Sequence, residues 1–254
     1  MRMRTVLSVV GVMLFAAVSV VAQDKPGTLA ALEFQKPKSG MVPQYEAGRK
    51  QKADWHKQQK DPQALMVWET LSGDNTGTYI VGRLGQHWSD FDKPAIPDQA
   101  DTAEFQKVLG NYVDSLVGRY YDFMPKISNP DSSTMPPKFS EIITFHVRYG
   151  KGSDFRGAIS RVYEAGQKTK WPVHYEWYVL ANGGDTGSYV LVLPRANWAD
   201  FEDKPDVKPF RDMLKDAFGQ AKADSIVDGI NASVQSETSE IIQFRPDLSY
   251  LPSK

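Results

Sequence analysis

Alternation between apolar and polar side chains predicts most elements in the second half of the chain. The segment Ile142–Arg148 is rich in β-branched and aromatic residues, which favour a strand. Apolar positions three to four residues apart then predict a helix that begins at Ser153 or Asp154 and ends near Lys168. The remaining predicted elements are strands at Val173–Leu180, Tyr189–Leu193 and Ile241–Phe244 and a helix from Phe210 to about Val234, broken near Gly219 or Gly229.

The first half of the chain shows the same order of elements. Its predicted elements are strand Leu32–Gln35, helix Val42–Gln58, strands Leu65–Leu71 and Thr78–Leu84, helix Ala103–Val117 and strand Tyr120–Phe123. In both halves the order is βαββαβ, which is that of a ferredoxin-like unit.

Five short segments of the first half recur in the same order in the second half, which indicates an internal duplication. The pairs are Tyr45-Glu-Ala-Gly with Tyr163-Glu-Ala-Gly, Trp68 with Trp177, Thr76-Gly77 with Thr186-Gly187, Trp88-Ser-Asp-Phe91 with Trp198-Ala-Asp-Phe201, and Phe123-Met-Pro with Phe244-Arg-Pro. We therefore predict one repeat at residues 23–128, a linker rich in Pro, Ser and Asp at 129–138, and a second repeat at 139–254.

The N-terminus has the pattern of a cleavable secretory signal. Arg2 and Arg4 precede an apolar run, and small residues ending at Ala22 suit signal peptidase. The alternative is an uncleaved anchor, but the run is at or just under the ~17–25 residues that a spanning helix needs. Residues 1–22 therefore predict a signal peptide and a periplasmic or secreted protein, without a membrane anchor after cleavage.

Composition excludes several classes of function. The chain has no cysteine, so disulfides, thiolate catalysis, cysteine-bound zinc and iron–sulfur clusters are ruled out. Loss of Arg2 and Arg4 with the leader lowers Lys+Arg from 30 to 28, against 31 Asp+Glu. Charges of both signs are mixed along the chain, so the basic stripe typical of nucleic-acid binding is missing.

Each predicted sheet has a second apolar face, which its sister copy would cover. We therefore predict an α+β fold class in which two tandem ferredoxin-like units pack sheet to sheet as an intrachain α+β barrel. The unit order, the duplication and the Trp-x-Asp-Phe element resemble the dimeric α+β barrel superfamily, whose members include NIPSNAP-like proteins, antibiotic-biosynthesis-type monooxygenases and haem proteins of the chlorite dismutase type. The resemblance implies a barrel, with a ligand cavity inside it or between sheet and helices.

Candidate catalytic residues lie on the polar faces of two predicted strands. Thr144, His146 and Arg148 alternate with apolar residues, as do His174, Glu176 and Tyr178. If the two faces meet, His146, His174 and Glu176 would converge, and a histidine beside a carboxylate can shuttle protons near neutral pH. The alternative is that these histidines are exposed or held in the core.

The repeated aromatic element supplies further candidates. Trp88 and Trp198 could wall a pocket, with His87 or Asn197 offering a hydrogen bond and Arg148 and Tyr178 contributing from the strands. The alternative is structural: the aromatic rings would close the barrel rim while the aspartate caps a turn.

No cofactor or metal site is predicted. The four histidines show no i, i+3 or i, i+4 pairing, and no histidine stands out as a haem ligand. The basic segment Lys50–Lys57 is predicted to be a solvated helix face.

The predicted function is that of an exported small-molecule-binding barrel or a cofactor-independent oxygenase-like enzyme. The alternative is a non-catalytic interaction or assembly module whose barrel core is filled by side chains. Because duplication can internalise a dimer interface, we expect a monomer.

Overall fold

A computed structural model of the chain describes residues 26–133 and 135–252; the predicted signal peptide lies outside these residues. In the first half, β1 (Leu29–Pro37), α1 (Val42–Gln58), β2 (Met66–Thr70), β3 (Tyr79–Gln86), α2 (Asp98–Val108) and β4 (Val113–Phe123) follow in order. In the second half, β5 (Phe139–Val147), α3 (Gly152–Thr169), β6 (Glu176–Asn182), β7 (Ser188–Arg195), α4 (Phe210–Phe218), α5 (Gln220–Ser233) and β8 (Val234–Phe244) follow. The fold is therefore α+β, with eight strands and five helices in the described part of the chain.

The eight strands form one closed antiparallel barrel in the order β1-β3-β2-β8-β5-β7-β6-β4. Each half contributes four neighbouring strands, β4-β1-β3-β2 and β8-β5-β7-β6, which is the same order in both. The halves join twice, where β2 pairs with β8 (Trp68 opposite Phe244) and where β4 pairs with β6 (Tyr121 opposite Leu180). Closure leaves no free strand edge in the barrel.

The helices cover the outer face of the barrel. In the first half Tyr45 of α1 packs against Tyr79 of β3, with ring centroids 4.7 Å apart. In the second half Phe155 of α3 packs in the same way against Tyr189 of β7, at 4.9 Å. Phe155 is thus the spatial counterpart of Tyr45, and the predicted match of Tyr45 with Tyr163 is wrong.

The predicted helix Ala103–Val117 ran past the end of α2 into strand β4. Residues 114–118 of β4 and 235–239 of β8 are exposed, so they lack the one-sided burial that marks a strand in sequence. The second-half helix was likewise predicted to reach Val234, although β8 begins there. Its predicted break at Gly219 is confirmed: Gly219 separates α4 from α5 with φ +82°.

The two halves differ in how their helices are covered. Helix α3 packs against both α4 and α5, and the three enclose an apolar cluster that includes Val162, Met213 and Ile226. Helix α1 packs chiefly against α2. From the matched tyrosine to the end of the last strand, the chain runs from 79 to 123 in the first half and from 189 to 244 in the second. The additional segment accommodates the extra helix.

None of the helices within residues 26–133 and 135–252 is long and apolar enough to cross a membrane.

Candidate functional site

The barrel encloses a cavity of about 760 Å³. All eight strands contribute inward-facing side chains to it, because alternate residues of a strand point to opposite faces. One wall is apolar and comes from the first half, where Leu32, Phe34, Met66, Trp68 and Ile80 face inward. The opposite wall is more polar and comes largely from β5, β6 and β7. The cavity is therefore unequal between the two halves.

Glu176 and Tyr178 form one polar pair on the β6 wall. The Tyr178 hydroxyl donates to Glu176 Oε2 at 2.6 Å. Burial, followed by the neighbouring carboxylate, raises the pKa of Tyr178 above its ordinary value. The phenol therefore stays protonated at neutral pH and holds the carboxylate in one orientation.

His146 and Ser188 form a second polar pair, between β5 and β7. Ser188 Oγ lies 3.3 Å from His146 Nδ1 and donates to the Asp185 carbonyl at 2.8 Å. Since the single hydroxyl proton is used on Asp185, Ser188 accepts from His146 Nδ1–H. In the neutral imidazole this arrangement leaves Nε2 as the nitrogen that can accept a proton.

The two polar pairs share the cavity but do not meet. Glu176 lies opposite Val192 on β7, which lies opposite Ile142 on β5. His146 is four residues further along β5, about 13 Å at the rise of a strand. The predicted convergence of a histidine with Glu176 is therefore absent; each has a different partner.

A third polar group combines Arg119 and Tyr121 of β4 with Glu240 of β8. The Arg119 guanidinium lies over the Phe34 ring at 4.7 Å, and its Nε is buried without a hydrogen-bond partner among the described residues. Burial raises the pKa of Tyr121, and a hydrogen bond with Arg119 opposes that rise. Glu240 accepts from the Asn75 amide.

Sequence reasoning missed Arg119 and Glu240 because both strands were assigned too short. The predicted strands began at Tyr120 and Ile241, one residue after Arg119 and Glu240. Extending the alternation of Tyr121 and Ile242 backwards by one step would have identified these positions.

The remaining predicted residues lie outside the cavity. His174 precedes β6 and is exposed, and Arg148 is exposed beyond the end of β5. Each residue lies just beyond the end of its strand. For this reason neither lines the cavity, and the prediction that both lie on the inward polar faces is wrong.

The repeated aromatic element is also on the surface. Trp88 and Trp198 are 53% and 55% exposed, and His87 and Asn197 are exposed beside them. Trp88 packs on Tyr120 and Trp198 on Phe139, with centroids 5.1 and 4.6 Å apart. Asp90 and Asp200 accept backbone hydrogen bonds from His87 and Ala196, which fits the structural interpretation of this element.

The segment Lys50–Lys57 is not the solvated face that the sequence predicts. Lys52 and His56 are 2% and 1% exposed and face a cleft between α1, α2 and the sheet. Lys52 Nζ contacts Asp101 Oδ1 at 2.9 Å, and His56 Nδ1 lies 2.9 Å from Asp61 Oδ2. Burial, and then the Lys52 charge, lowers the pKa of His56 to about 4. The imidazole is therefore neutral near pH 7.

No cluster of metal-binding side chains is found among the described residues. No group of three or more His, Asp or Glu side chains among them is arranged to hold a metal ion. Of the four histidines, only His146 lines the barrel cavity. Its Nδ1 contacts a serine hydroxyl, whereas metal-bound histidines usually donate to a carboxylate, a carbonyl or a water.

Solved structures with the same architecture include proteins named as a monooxygenase, an anthrone oxidase-like protein and a chlorite dismutase. A proposed monooxygenase from Fusobacterium nucleatum superposes with a TM-score of 0.55 at 8% identity, covering 85% of this chain and 91% of that one. An anthrone oxidase-like protein gives 0.53 at 9% identity, with 89% and 94% covered. A chlorite dismutase variant from Candidatus Nitrospira defluvii gives 0.50 at 10% identity, with 87% and 92% covered.

These similarities establish the fold class and nothing finer. The chain shares the α+β barrel fold of these structures, and a barrel is the fold that the sequence resemblance implies. No known family model matches the chain, and no curated protein sequence is significantly similar to it. Function must therefore be argued from the site itself.

Proposed function

We propose that this protein binds a small, mainly apolar molecule inside its barrel, and that it does so as an exported protein. The observation that carries the proposal is the cavity of about 760 Å³, which falls within the roughly 300–1,000 Å³ typical of ligand sites. The alternative module requires a filled barrel core, and the cavity argues against it. The signal-peptide pattern of residues 1–22 supports export.

The lining indicates the chemistry of the ligand. The first-half wall of Phe34, Met66 and Trp68 suits a flat apolar or aromatic body. The opposite wall offers the Tyr178–Glu176 pair and His146, which suits hydroxyl or carbonyl groups on the far side of the same molecule. A polyphenol or a similar hydroxylated aromatic compound combines both features.

We further propose oxygenase-like chemistry at His146. A cofactor-independent oxygenase needs a base that takes a proton from an acidic substrate, and Nε2 of His146 is available for that step. The fold shared with proteins named as monooxygenase and anthrone oxidase-like supports this reading. Glu176 is too far from His146 to assist it directly and would position the substrate.

The architecture supports a tandem origin for the barrel. Both halves have the element order βαββαβ and the same strand order, with the extra helix in the second half. We propose that they are two ferredoxin-like copies whose fusion places both sheets of a dimeric barrel in one chain, which favours a monomer.

The test uses protein purified from the periplasm of its native host. Intact mass shows whether the chain begins at Gln23, and native mass spectrometry with an absorbance spectrum shows whether a ligand is retained.

Val192 lines the cavity, so Val192→Trp is expected to fill it and abolish retention or binding of an added hydroxylated aromatic. Oxygen uptake with anthrone tests the chemistry, where His146→Gln is expected to lower kcat by about 100-fold or more.

The matched control is Val42→Trp, which places the same side chain at an exposed position at the start of α1. It is expected to bind and react as the wild type does. If Val192→Trp folds and still binds the ligand, the barrel is not the site. If binding persists but no compound supports oxygen uptake, the binding proposal stands and the oxygenase proposal is wrong.

A further inference from the structure

A polar stripe runs along α1 where the first half has its outer cleft. Arg49, Lys52 and His56 lie three to four residues apart and face the same side of the helix. All three are at most 2% exposed, and all line a cleft of about 690 Å³ between α1, α2 and the sheet. Charged side chains are almost never this buried unless each has a partner.

The fold itself does not require a polar stripe here. Because Phe155 is the counterpart of Tyr45, the positions equivalent to Arg49 and Lys52 are Ile159 and Val162 on α3. There the stripe is apolar and is covered by α4 and α5. The first half lacks the second covering helix and keeps an open cleft lined by charged side chains.

Most charges in the cleft neutralise one another. Asp101 pairs with Lys52 at 2.9 Å, and Asp61 pairs with Arg83 at 2.8 Å and with His56. A third carboxylate, Glu33, accepts from the Gln35 amide at 2.7 Å. Lys52 and Arg83 are therefore each paired with a carboxylate, whereas the partner of Glu33 is a neutral amide.

Arg49 is left over. Its Nε and Nη2 are buried, and no acceptor among the described residues receives a hydrogen bond from either. None of the ion pairs among the described residues involves Arg49. A buried guanidinium with two unpaired nitrogens is costly, so its retention at the wall of an open cleft indicates a partner supplied from outside the chain.

The two unpaired nitrogens define what that partner is. Nε–H and Nη2–H lie on one edge of the guanidinium and form the side-on fork that holds the two oxygens of a carboxylate. Phe105, Leu116 and Tyr120 add an apolar wall to the same cleft. We propose that the cleft binds a small organic acid, with its carboxylate on Arg49 and its apolar body against α2 and β4. The site is separate from the barrel cavity, which lies on the other face of the sheet.

The test is thermal unfolding of the full mature chain with benzoate, hexanoate, benzamide and sulfate. We expect the unfolding temperature to rise by about 2–4 °C when benzoate or hexanoate reaches about ten times its Kd. Benzamide has the same shape without the charge and is expected to give no shift, as is sulfate. Arg49→Lys keeps the charge but loses the fork, and should weaken carboxylate binding about tenfold or more.

Arg49→Met separates a binding role from a structural one. Without ligand it should unfold about 2–4 °C higher than the wild type, because an unpaired buried charge is removed, and it should no longer respond to benzoate. The control Arg156→Met changes an exposed arginine of α3 and should leave both properties unchanged. The inference is overturned if neither acid shifts the wild type, if sulfate or benzamide shifts it equally, or if Arg49→Met is destabilised or keeps the response. Val192→Trp should retain the benzoate shift, which distinguishes this cleft from the barrel.

Discussion

At the scale of single residues, the protein places ionisable groups where they are deprived of water. His56 is the clearest case, since its Nδ1 is held by Asp61 while its buried Nε2 has no hydrogen-bond partner among the described residues. Lys52 and Arg83, which lie close by, oppose a positive charge on the ring. The imidazole is therefore neutral in the folded protein near pH 7.

This neutrality predicts an acid-sensitive fold. Between about pH 4 and 6.5 the unfolded chain binds a proton at His56 that the folded chain does not, so stability falls as the pH drops through that window. Urea unfolding at pH 7 and at pH 5 measures the change. His56→Gln is expected to show a smaller loss between the two values, whereas the exposed His174→Gln should match the wild type. Equal losses in all three proteins would contradict the prediction.

At the scale of elements, two glycines in and beside helices should respond in opposite directions. Gly219 has φ +82° between α4 and α5, a conformation that strains any other residue. Gly157 lies inside α3 with open space around it and without that conformation. Gly219→Ala should lower the free energy of unfolding by about 1 kcal/mol, and Gly157→Ala should raise it by about 0.5–1 kcal/mol. Denaturant titration measures both, and the prediction is wrong if the two changes have the same sign.

Elements with a clear periodicity were predictable from sequence. Helix α1 has the predicted bounds Val42–Gln58, and the break at Gly219 follows from glycine chemistry. The first halves of β4 and β8 were not predictable, because their exposed residues do not alternate between buried and exposed positions.

The candidate site was predictable only in part, for a related reason. Alternation placed His146 and Glu176 on the inner face, but their separation along the barrel depends on strand register, which a single strand does not encode. The burial of Lys52 and His56 depends on α2 folding over them, so the sequence alone indicated a solvated face.

At the scale of the whole molecule, each half has two strands whose outer edges are paired only by the other half. Fragments ending at residue 131 and beginning at residue 135 should therefore not persist as folded monomers, and mixing them should give a 1:1 complex. Native mass spectrometry reports the stoichiometry, and near-ultraviolet circular dichroism reports native packing. A fragment that unfolds cooperatively as a monomer would show that the halves are independent domains.

The segment that joins the two halves has a consequence for how a ligand enters and leaves the barrel. Pro130, Asp131 and Met135 line the cavity at the end where β5 begins, while the β6–β7 hairpin with Asp185 borders the other end. Four antiparallel pairings separate β1 from β5, so the two strands run in the same direction and the two ends of the barrel differ from each other. The end where β5 begins also carries the covalent segment that joins the two halves, and the other end does not. A ligand that enters the barrel therefore meets two different ends, and this difference constrains its orientation before any single side chain contacts it.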